Sequence, residues 1–459
     1  MDALQAGIFR QYDIRGVVGT ELTADAARAI GGAYALLLRE RGVRGAIAVG
    51  RDNRPSGGML RDAFVEGLTG LGVDVTDLGI VPTPLLYWAL HNLPVVGGVQ
   101  ITGSHNPPEY NGFKICLGTD SVYGDGIQHL AELAGRVGAA SAAVPPGTVH
   151  DVGIIDRYID DIVERTGPLP RRLRVVFDCG NGVGSLVSGA LFGRLGVDAS
   201  YLYCESDGTF PNHHPDPTVV ENVQDLIAAV RERKADLGIA FDGDADRIGV
   251  IDRHGEIVWG DYTLILYARD VLERTGPGQA IIFDVKCSQA LPAAIAAAGG
   301  TPVMWKTGHS LIKEKMKAMH APVAGEMSGH MFFAEGFYGH DDALYAAARL
   351  LRIVSASGRS VDDLLADVPR FVSTPEIRVD CSDDRKFAIV EAATAHYRIG
   401  HEVVDVDGAR VLFGDGWGLI RASNTQPILV LRFEARTLER LAAIRADMTG
   451  WLGTQGVSI

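Results

Sequence analysis

Three times along the chain, an apolar strand pattern gives way to a turn and then to a helical pattern. The first round fills residues 24 to 100, with "ADAARAIGGAYALLLRERG", "GAIAVG", "GMLRDAFVEGLTGLG" and "VDVTDLG" in succession. The second opens at "RLRVVFDCGNGVGSLVSGALFGRLGVD". The third opens at "QAIIFDVKCSQALPAAIAAAGG", followed by "TPVMW". Strands alternating with helices of this length imply βαβ units and parallel-biased sheets. After Pro375 the pattern changes. Strand-like "EIRVD", "GARVLFG", "GWGLIRAS" and "PILVLRFEA" accompany two helical stretches, "DDRKFAIVEAATAHYR" and "TLERLAAIRADMTGWLG". The expected fold is α/β: three related α/β domains with mixed, mostly parallel sheets, plus a C-terminal α+β domain. Proline and turn residues cluster at 143–150, near Asp252 and at 366–376, so the expected domains are 1–150, 151–252, 253–368 and 369–459.

Composition narrows the function classes. The chain has 459 residues, 47% of them hydrophobic and 22% charged, as expected of a folded globular protein. A net charge of −14 argues against nucleic acid as a partner. An anionic ligand must then be held by locally concentrated Arg and Lys. The five cysteines form no CxxC pair, so the expectation is a reduced chain without a disulfide framework or structural zinc. The N-terminus lacks an apolar signal core, and no apolar run reaches roughly 18 residues, so a soluble, cytoplasmic protein without membrane partners is expected.

The chemistry-bearing motifs fall in loops. "VVGGVQI" reads as a strand, and "TGSHNPP" cannot continue it, because Pro107 and Pro108 lack backbone donors and fix φ. Ser104 is therefore displayed past a strand end, where ligands gather in α/β proteins. The plain alternative is a serine that only closes its own turn. In "ADLGIAFDGDADRIGVIDRHGEIVW" a strand ends at Phe241 and another starts at Ile248. Between them Asp242, Asp244 and Asp246 stand at i, i+2 and i+4. Their carboxylates can converge as hard oxygen ligands suited to Mg²⁺ with a phosphate. An EF-hand would need Glu at the twelfth position, where Arg253 stands. A solvated acidic turn would only concentrate repulsion.

"GLIRASNTQP" offers Arg421, Ser423, Asn424 and Thr425 as a phosphate cradle, or else an ordinary turn. "GEMSGHMFF" offers Glu326, Ser328 and His330 as partners for sugar hydroxyls. "KTGHS" and "DVKCS" add Lys306, His309 and Lys286, and "YDIRG" adds Arg15. Lys313, Lys315 and Lys317 read as a solvated helix face, and Arg51 and Arg54 as salt-bridged surface arginines.

Taken in order, "TGSHNP", "DGDADR", "GEMSGH" and "RASNTQP" resemble the α-D-phosphohexomutases, most closely the bacterial phosphomannomutase/phosphoglucomutases. The resemblance runs from "FRQYDIRG" into the tail domain. It implies four domains around a central cleft, each giving one loop. Ser104 would be the phosphoserine, and Asp242, Asp244 and Asp246 would bind Mg²⁺ with a phosphoserine oxygen. Glu326 and Ser328 would read sugar hydroxyls. Arg421, Ser423, Asn424 and Thr425 would hold the phosphate not being transferred. Arg15, Lys114, Arg247, Lys286, His309 and His330 match further cleft positions, with Lys114 or His105 as proton shuttle. The activity implied is reversible transfer between the 1 and 6 positions of mannose or glucose phosphates through a hexose 1,6-bisphosphate, by a monomer or weak dimer. Phosphoglucosamine mutase is the nearest alternative, with a phosphoserine-based sugar phosphatase or a non-catalytic sugar-phosphate sensor further off. One departure is visible: Ala245 stands where the family often has glycine.

Overall fold

The strands Val95–Ile101, Leu237–Phe241, Val323–Gly325 and Gly416–Ala422 each end at a motif-bearing loop. The computed structural model describes residues 6–137, 144–424 and 426–457. In the first sheet the strands lie in the order Ile14–Val17, Tyr110–Leu117, Val95–Ile101, Ala46–Arg51, Val75–Ile80 and Val149–Asp151, with Asp120–Ser121 beside Tyr110–Leu117. Ala46–Arg51 is parallel to both Val75–Ile80 and Val95–Ile101. Tyr110–Leu117 is antiparallel to its two long neighbours. Helix Ala24–Glu40 begins at Thr23, whose side chain accepts the Ala26 amide, and packs against helix Gly57–Thr69. The close approach is made possible by Gly31 and Gly67, where a Cβ would lie 2.1 Å from a carbonyl of the facing helix.

The second sheet runs Ile257–Val258, Ile248–Asp252, Leu237–Phe241, Arg174–Asp178, Asp198–Leu202, and the third runs Thr301–Trp305, Ala280–Asp284, Val323–Gly325, Met331–Phe333. Both pair their βαβ strands in parallel and add antiparallel strands at one side. The tail is an antiparallel sheet, Val372–Ser373, Ile428–Ala435, Gly416–Ala422, Ala409–Leu412, Glu402–Val404, with Ile377–Asp380 also on Ile428–Ala435. Helices Asp383–Tyr397 and Leu438–Thr454 cover it. The expected α/β and α+β classes are thus found. The second and third sheets, with helix Thr83–Asn92, share one apolar core that includes Phe177, Tyr267 and Leu344. The first sheet has its own core around Phe64 and Phe113. Among the described residues, no helix is long and apolar enough to cross a membrane.

One expectation is overturned. Cys179 and Cys204 pair as a disulfide, with Cα atoms 5.1 Å apart. They lie 25 residues apart in sequence, so spacing hides the pair. Arg174–Asp178 and Asp198–Leu202 are adjacent parallel strands whose ends deliver both sulfurs to one place, and Cys179 N–H donates to the Leu202 carbonyl at 3.1 Å. Cys116, Cys287 and Cys381 are free and buried. Titration of the denatured, unreduced chain with a thiol reagent should therefore count three thiols, rising to five after reduction. Five before reduction would show the pair open.

Candidate functional site

Ser104 leaves the strand Val95–Ile101 in a left-handed conformation, φ 51°. Its amide donates to Thr102 Oγ1 at 2.8 Å, and the Gly103 amide donates to Asp52 Oδ2 at 3.1 Å. The residue is buried. Its Oγ lies 3.1 Å from Asp242 Oδ2 and 3.1 Å from His105 Nδ1. A serine that only closed its own turn would not reach a carboxylate 138 residues away.

The aspartate loop joins strands Leu237–Phe241 and Ile248–Asp252. Asp242 Oδ1 accepts the amides of Asp246 and Arg247 at 3.0 and 3.1 Å, folding the loop back on its first carboxylate. Ala245 takes φ 59° to complete the turn. Asp242, Asp244 and Asp246 are fully buried and bring ligand oxygens within 4.8 Å of one another. Lys114 Nζ, arriving from Tyr110–Leu117 of the first sheet, lies 2.8 Å from Asp244 Oδ2 and 2.5 Å from Asp246 Oδ2. Burial disfavours the ammonium, but these two carboxylates outweigh it and raise the Lys114 pKa. Burial likewise opposes ionisation of Asp244, and Lys114 reverses it. Asp242 is pushed up by burial and by repulsion from Asp246 and Asp244. Asp244 Oδ1 and Asp246 Oδ1 are buried without a hydrogen-bond partner, so the loop keeps hard acceptor capacity that Lys114 does not use. That donor set fits a divalent cation.

Asp246, His330 and Asp341 form a second close group. Here the charge is already answered. Lys313 Nζ lies 3.3 Å from Asp341 Oδ1, and His330 Nε2 accepts from Arg247 Nε at 2.9 Å. This leaves His330 Nδ1 as the protonated nitrogen, 3.1 Å from Asp341 Oδ2. Lys313 is thus not the solvated residue expected: its ammonium lies over the Tyr87 ring and reaches inward to Asp341. His309 Nδ1 is 3.9 Å from Asp341 Oδ2, and burial, with Lys313 next, holds the His309 pKa well below its usual value. His105 is lowered in the same sense by burial, then by Arg247 and Arg15, so its ring is neutral near Ser104.

The remaining predicted residues come from the third sheet and the tail, with Arg15 from the first sheet. Glu326 Oε1 accepts the Gly308 amide at 2.5 Å, and Ser328 Oγ donates to Glu326 Oε2 at 3.1 Å. Lys286 lies 3.2 Å from Glu376. Arg421 Nε donates to Asp407 Oδ2 at 2.6 Å, and the same oxygen accepts the Thr307 amide at 3.0 Å. Asn424 Nδ2 donates to the Tyr12 hydroxyl at 2.7 Å, and that hydroxyl donates to the Thr307 carbonyl at 2.8 Å. Arg15 Nη1 donates to Asn106 Oδ1 at 2.8 Å, beside the Ser104 loop. Ser423 stands at the buried end of the tail strand, its Oγ accepting the Gln426 amide at 3.2 Å. Thr425 lies outside the described residues. Lys306 is exposed and takes no part.

Sequence reasoning missed Tyr12, Asp341, Asp407 and Lys386. Tyr12 stands in the quoted "YDIRG", where only the arginine was considered. Lys386 is buried on helix Asp383–Tyr397 and donates to the Ser423 and Gln426 carbonyls at 2.5 and 3.0 Å. Arg54 also departs from expectation. It is 1% exposed rather than on the surface, because the Ser104 loop folds over its guanidinium.

Four sequence families match in chain order. They are the phosphoglucomutase/phosphomannomutase alpha/beta/alpha domain I at residues 6–132, domain II at 156–255, domain III at 259–371 and the C-terminal domain at 376–450. The chain belongs to the phosphoglucomutase/phosphomannomutase family. It is 49% identical over 443 residues to a phosphomannomutase/phosphoglucomutase of Pseudomonas aeruginosa, covering 96% of this chain and 94% of that one. It is 48% identical to a phosphoglucomutase of Neisseria gonorrhoeae, covering 97% of this chain and 96% of that one. The crystal structure of a phosphoglucomutase/phosphomannomutase family protein from Burkholderia thailandensis superposes with a TM-score of 0.90 at 44% identity, covering 98% of this chain and 97% of that one.

Within this phosphoglucomutase/phosphomannomutase site the Ala245 departure is a local energetic question. A left-handed alanine costs roughly 1–2 kcal/mol, which glycine would relieve. Glycine would in turn lose about 0.8 kcal/mol for the buried methyl and about 0.5–1 kcal/mol to unfolded-chain entropy. Ala245→Gly should change stability by less than about 1 kcal/mol in denaturant unfolding. A loss above roughly 2 kcal/mol would show that the methyl is a packing element rather than a tolerated strain.

Proposed function

We propose that the chain reversibly transfers a phosphoryl group between the 1 and 6 positions of mannose and glucose phosphates, carrying it on Ser104. The observation that supports this most directly is the 3.1 Å approach of Ser104 Oγ to Asp242, the first carboxylate of a buried loop with unspent acceptors. Asp242, Asp244 and Asp246 would hold a divalent cation of the Mg²⁺ kind together with a phosphoserine oxygen. When bound, it supplies neutralisation of the phosphate charge.

The chain's own residues then supply alignment. In the first half-reaction, the bond between Ser104 Oγ and phosphorus breaks as a sugar hydroxyl oxygen bonds to phosphorus. The hydroxyl proton leaves to a neighbouring base, and the departing Ser104 Oγ takes up a proton. His105, neutral and 3.1 Å from Ser104 Oγ, has a free nitrogen lone pair for it. Lys114 is held as an ammonium by Asp244 and Asp246 and acts as charge rather than as base. The product is a hexose 1,6-bisphosphate. After reorientation Ser104 Oγ gives up its proton to the base and bonds to the other phosphorus, and the sugar oxygen released from that phosphorus takes the proton. Arg247, Arg15 and His309 face the reacting phosphate, and Glu326, Ser328, His330 and Lys286 the sugar. Arg421, Ser423, Asn424 and Thr425 retain the phosphate not in transfer. We assign the loops to domains 1–150, 151–252, 253–368 and 369–459. The protein works in the cytoplasm as a monomer or weak dimer, without nucleic-acid or membrane partners.

Purified protein should carry phosphate on Ser104 by phosphopeptide mapping. It should convert mannose 1-phosphate and glucose 1-phosphate faster than glucosamine 1-phosphate in side-by-side assays. Ser104→Ala should lower kcat by on the order of 10³-fold or more. Phosphate found only elsewhere, with an active alanine variant, would refute the assignment. Preferred turnover of glucosamine 1-phosphate would move the chain to the neighbouring specificity.

A further inference from the structure

Among the described residues, Ser104 is one of seven non-glycine residues with positive φ, and a serine holds such a conformation only when its surroundings impose it. The group that imposes it comes from "GRDNRPS". Arg54 is 1% exposed, and each of its five N–H donors has an acceptor. Nε donates to Asp52 Oδ2 at 3.1 Å. Nη1 donates to the carbonyls of Pro107 and Tyr110 at 2.5 and 3.0 Å. Nη2 donates to the carbonyls of Ser104 and Asn106 at 2.8 and 2.6 Å. With every donor committed, Arg54 has none left for a substrate. What it does is turn four loop carbonyls inward, so that Ser104 Oγ faces the other way, toward Asp242.

The same side chain touches the unit that carries the aspartates. Its guanidinium lies 5.1 Å from the centroid of the Phe210 ring. Next to it, Asn53 Nδ2 donates to the Asn181 carbonyl at 2.7 Å and to Ser206 Oγ at 2.9 Å. Across the loop, a Cβ on Gly243 would lie 2.5 Å from the Ser104 carbonyl oxygen, so that carbonyl is held between Arg54 and the aspartate loop. Gly103 is needed on the inner side, where a Cβ would stand 2.5 Å from Arg54 Cζ.

We infer that Arg54 is a positioning residue that acts through Ser104: its buried guanidinium holds the 104–110 carbonyls, fixes the left-handed serine and sets the distance from Ser104 Oγ to Asp242. The inference rests on the reading of Ser104 as the phosphoryl carrier. A lysine could not do the same. A single ammonium with three donors cannot span four carbonyls and a carboxylate that a planar fork reaches together.

Two variants test this through different atoms. Arg54→Lys keeps the charge and loses the fork, whereas Gly103→Ala keeps Arg54 and displaces its guanidinium. For each we would measure kcat and KM for glucose 1-phosphate, the rate at which dephosphorylated Ser104 takes phosphate from glucose 1,6-bisphosphate, and the thermal midpoint. In folded variants kcat and the phosphorylation rate should fall together by about 100-fold, as for a reacting atom displaced by about 1 Å, while KM stays within about threefold. If Arg54→Lys does not fold, Gly103→Ala decides alone. A folded Gly103→Ala with wild-type kcat, or a rise in KM with kcat unchanged, would overturn the positioning role. A wild-type protein with no turnover of any hexose phosphate and no phosphate uptake on Ser104 would overturn the functional reading together with it.

Discussion

The ammonium of Lys114, lying between Asp244 and Asp246, is the contact on which the site depends. Three carboxylates in one buried loop repel one another and lose their hydration, and such a group persists only with cations or hydrogen bonds close by. The aspartate loop's own Arg247 stands 4.0 Å from Asp242 Oδ2, and the cation between Asp244 and Asp246 comes from elsewhere. Lys114 comes from Tyr110–Leu117 of the first sheet, and Thr83, also from the first unit, donates its hydroxyl to Asp244 Oδ2 at 2.6 Å and its amide to the Asp244 carbonyl at 3.0 Å. Docking the first unit on the second thus satisfies part of the aspartate loop. It also sets Ser104 beside Asp242. One interface therefore brings Ser104, Lys114 and the aspartate loop together.

Behind the loops a second regularity appears. Arg54 takes the carbonyls of the Ser104 loop, and Lys386 those of Ser423 and Gln426. Arg410 takes the carbonyls of Val285 and Cys287 at 2.5 and 2.7 Å, and Arg432 that of Lys286 at 2.6 Å. These are buried cations whose donors go to loop carbonyls, and among the four Arg410 Nε and Arg432 Nε keep no partner. Each draws carbonyl oxygens inward and places positive charge behind a loop. A chain with net charge −14 needs such local charge to attract a phosphate at all.

Much of this was legible in the sequence because it is local. The strands ending at Ile101 and Phe241, the prolines that break the chain after Ser104, and the spacing of Asp242, Asp244 and Asp246 all act within a few residues. What the sequence hid depends on distance. Tyr12 meets Asn424 across 412 positions, and no periodicity signals a hydroxyl that bridges the first unit, Thr307 and the tail. Arg54 looked like a surface arginine, since nothing nearby says that a loop 50 residues later covers it. Lys313 stands in the run Lys313, Lys315, Lys317, and only the fold shows that this one turns inward to Asp341. The Cys179–Cys204 pair needed the parallel pairing of two strands before the sulfurs could meet.

A divalent cation held by the aspartate loop would face a phosphate carried by Ser104. The most direct measurement is the ³¹P resonance of the phosphorylated protein as Mn²⁺ replaces Mg²⁺. A paramagnetic ion bound by Asp242, Asp244 and Asp246 should broaden the phosphoserine signal at one equivalent, and Asp242→Asn should restore the sharp line. A phosphoserine resonance left sharp by stoichiometric Mn²⁺ in the wild-type protein would rule out a cation at that place.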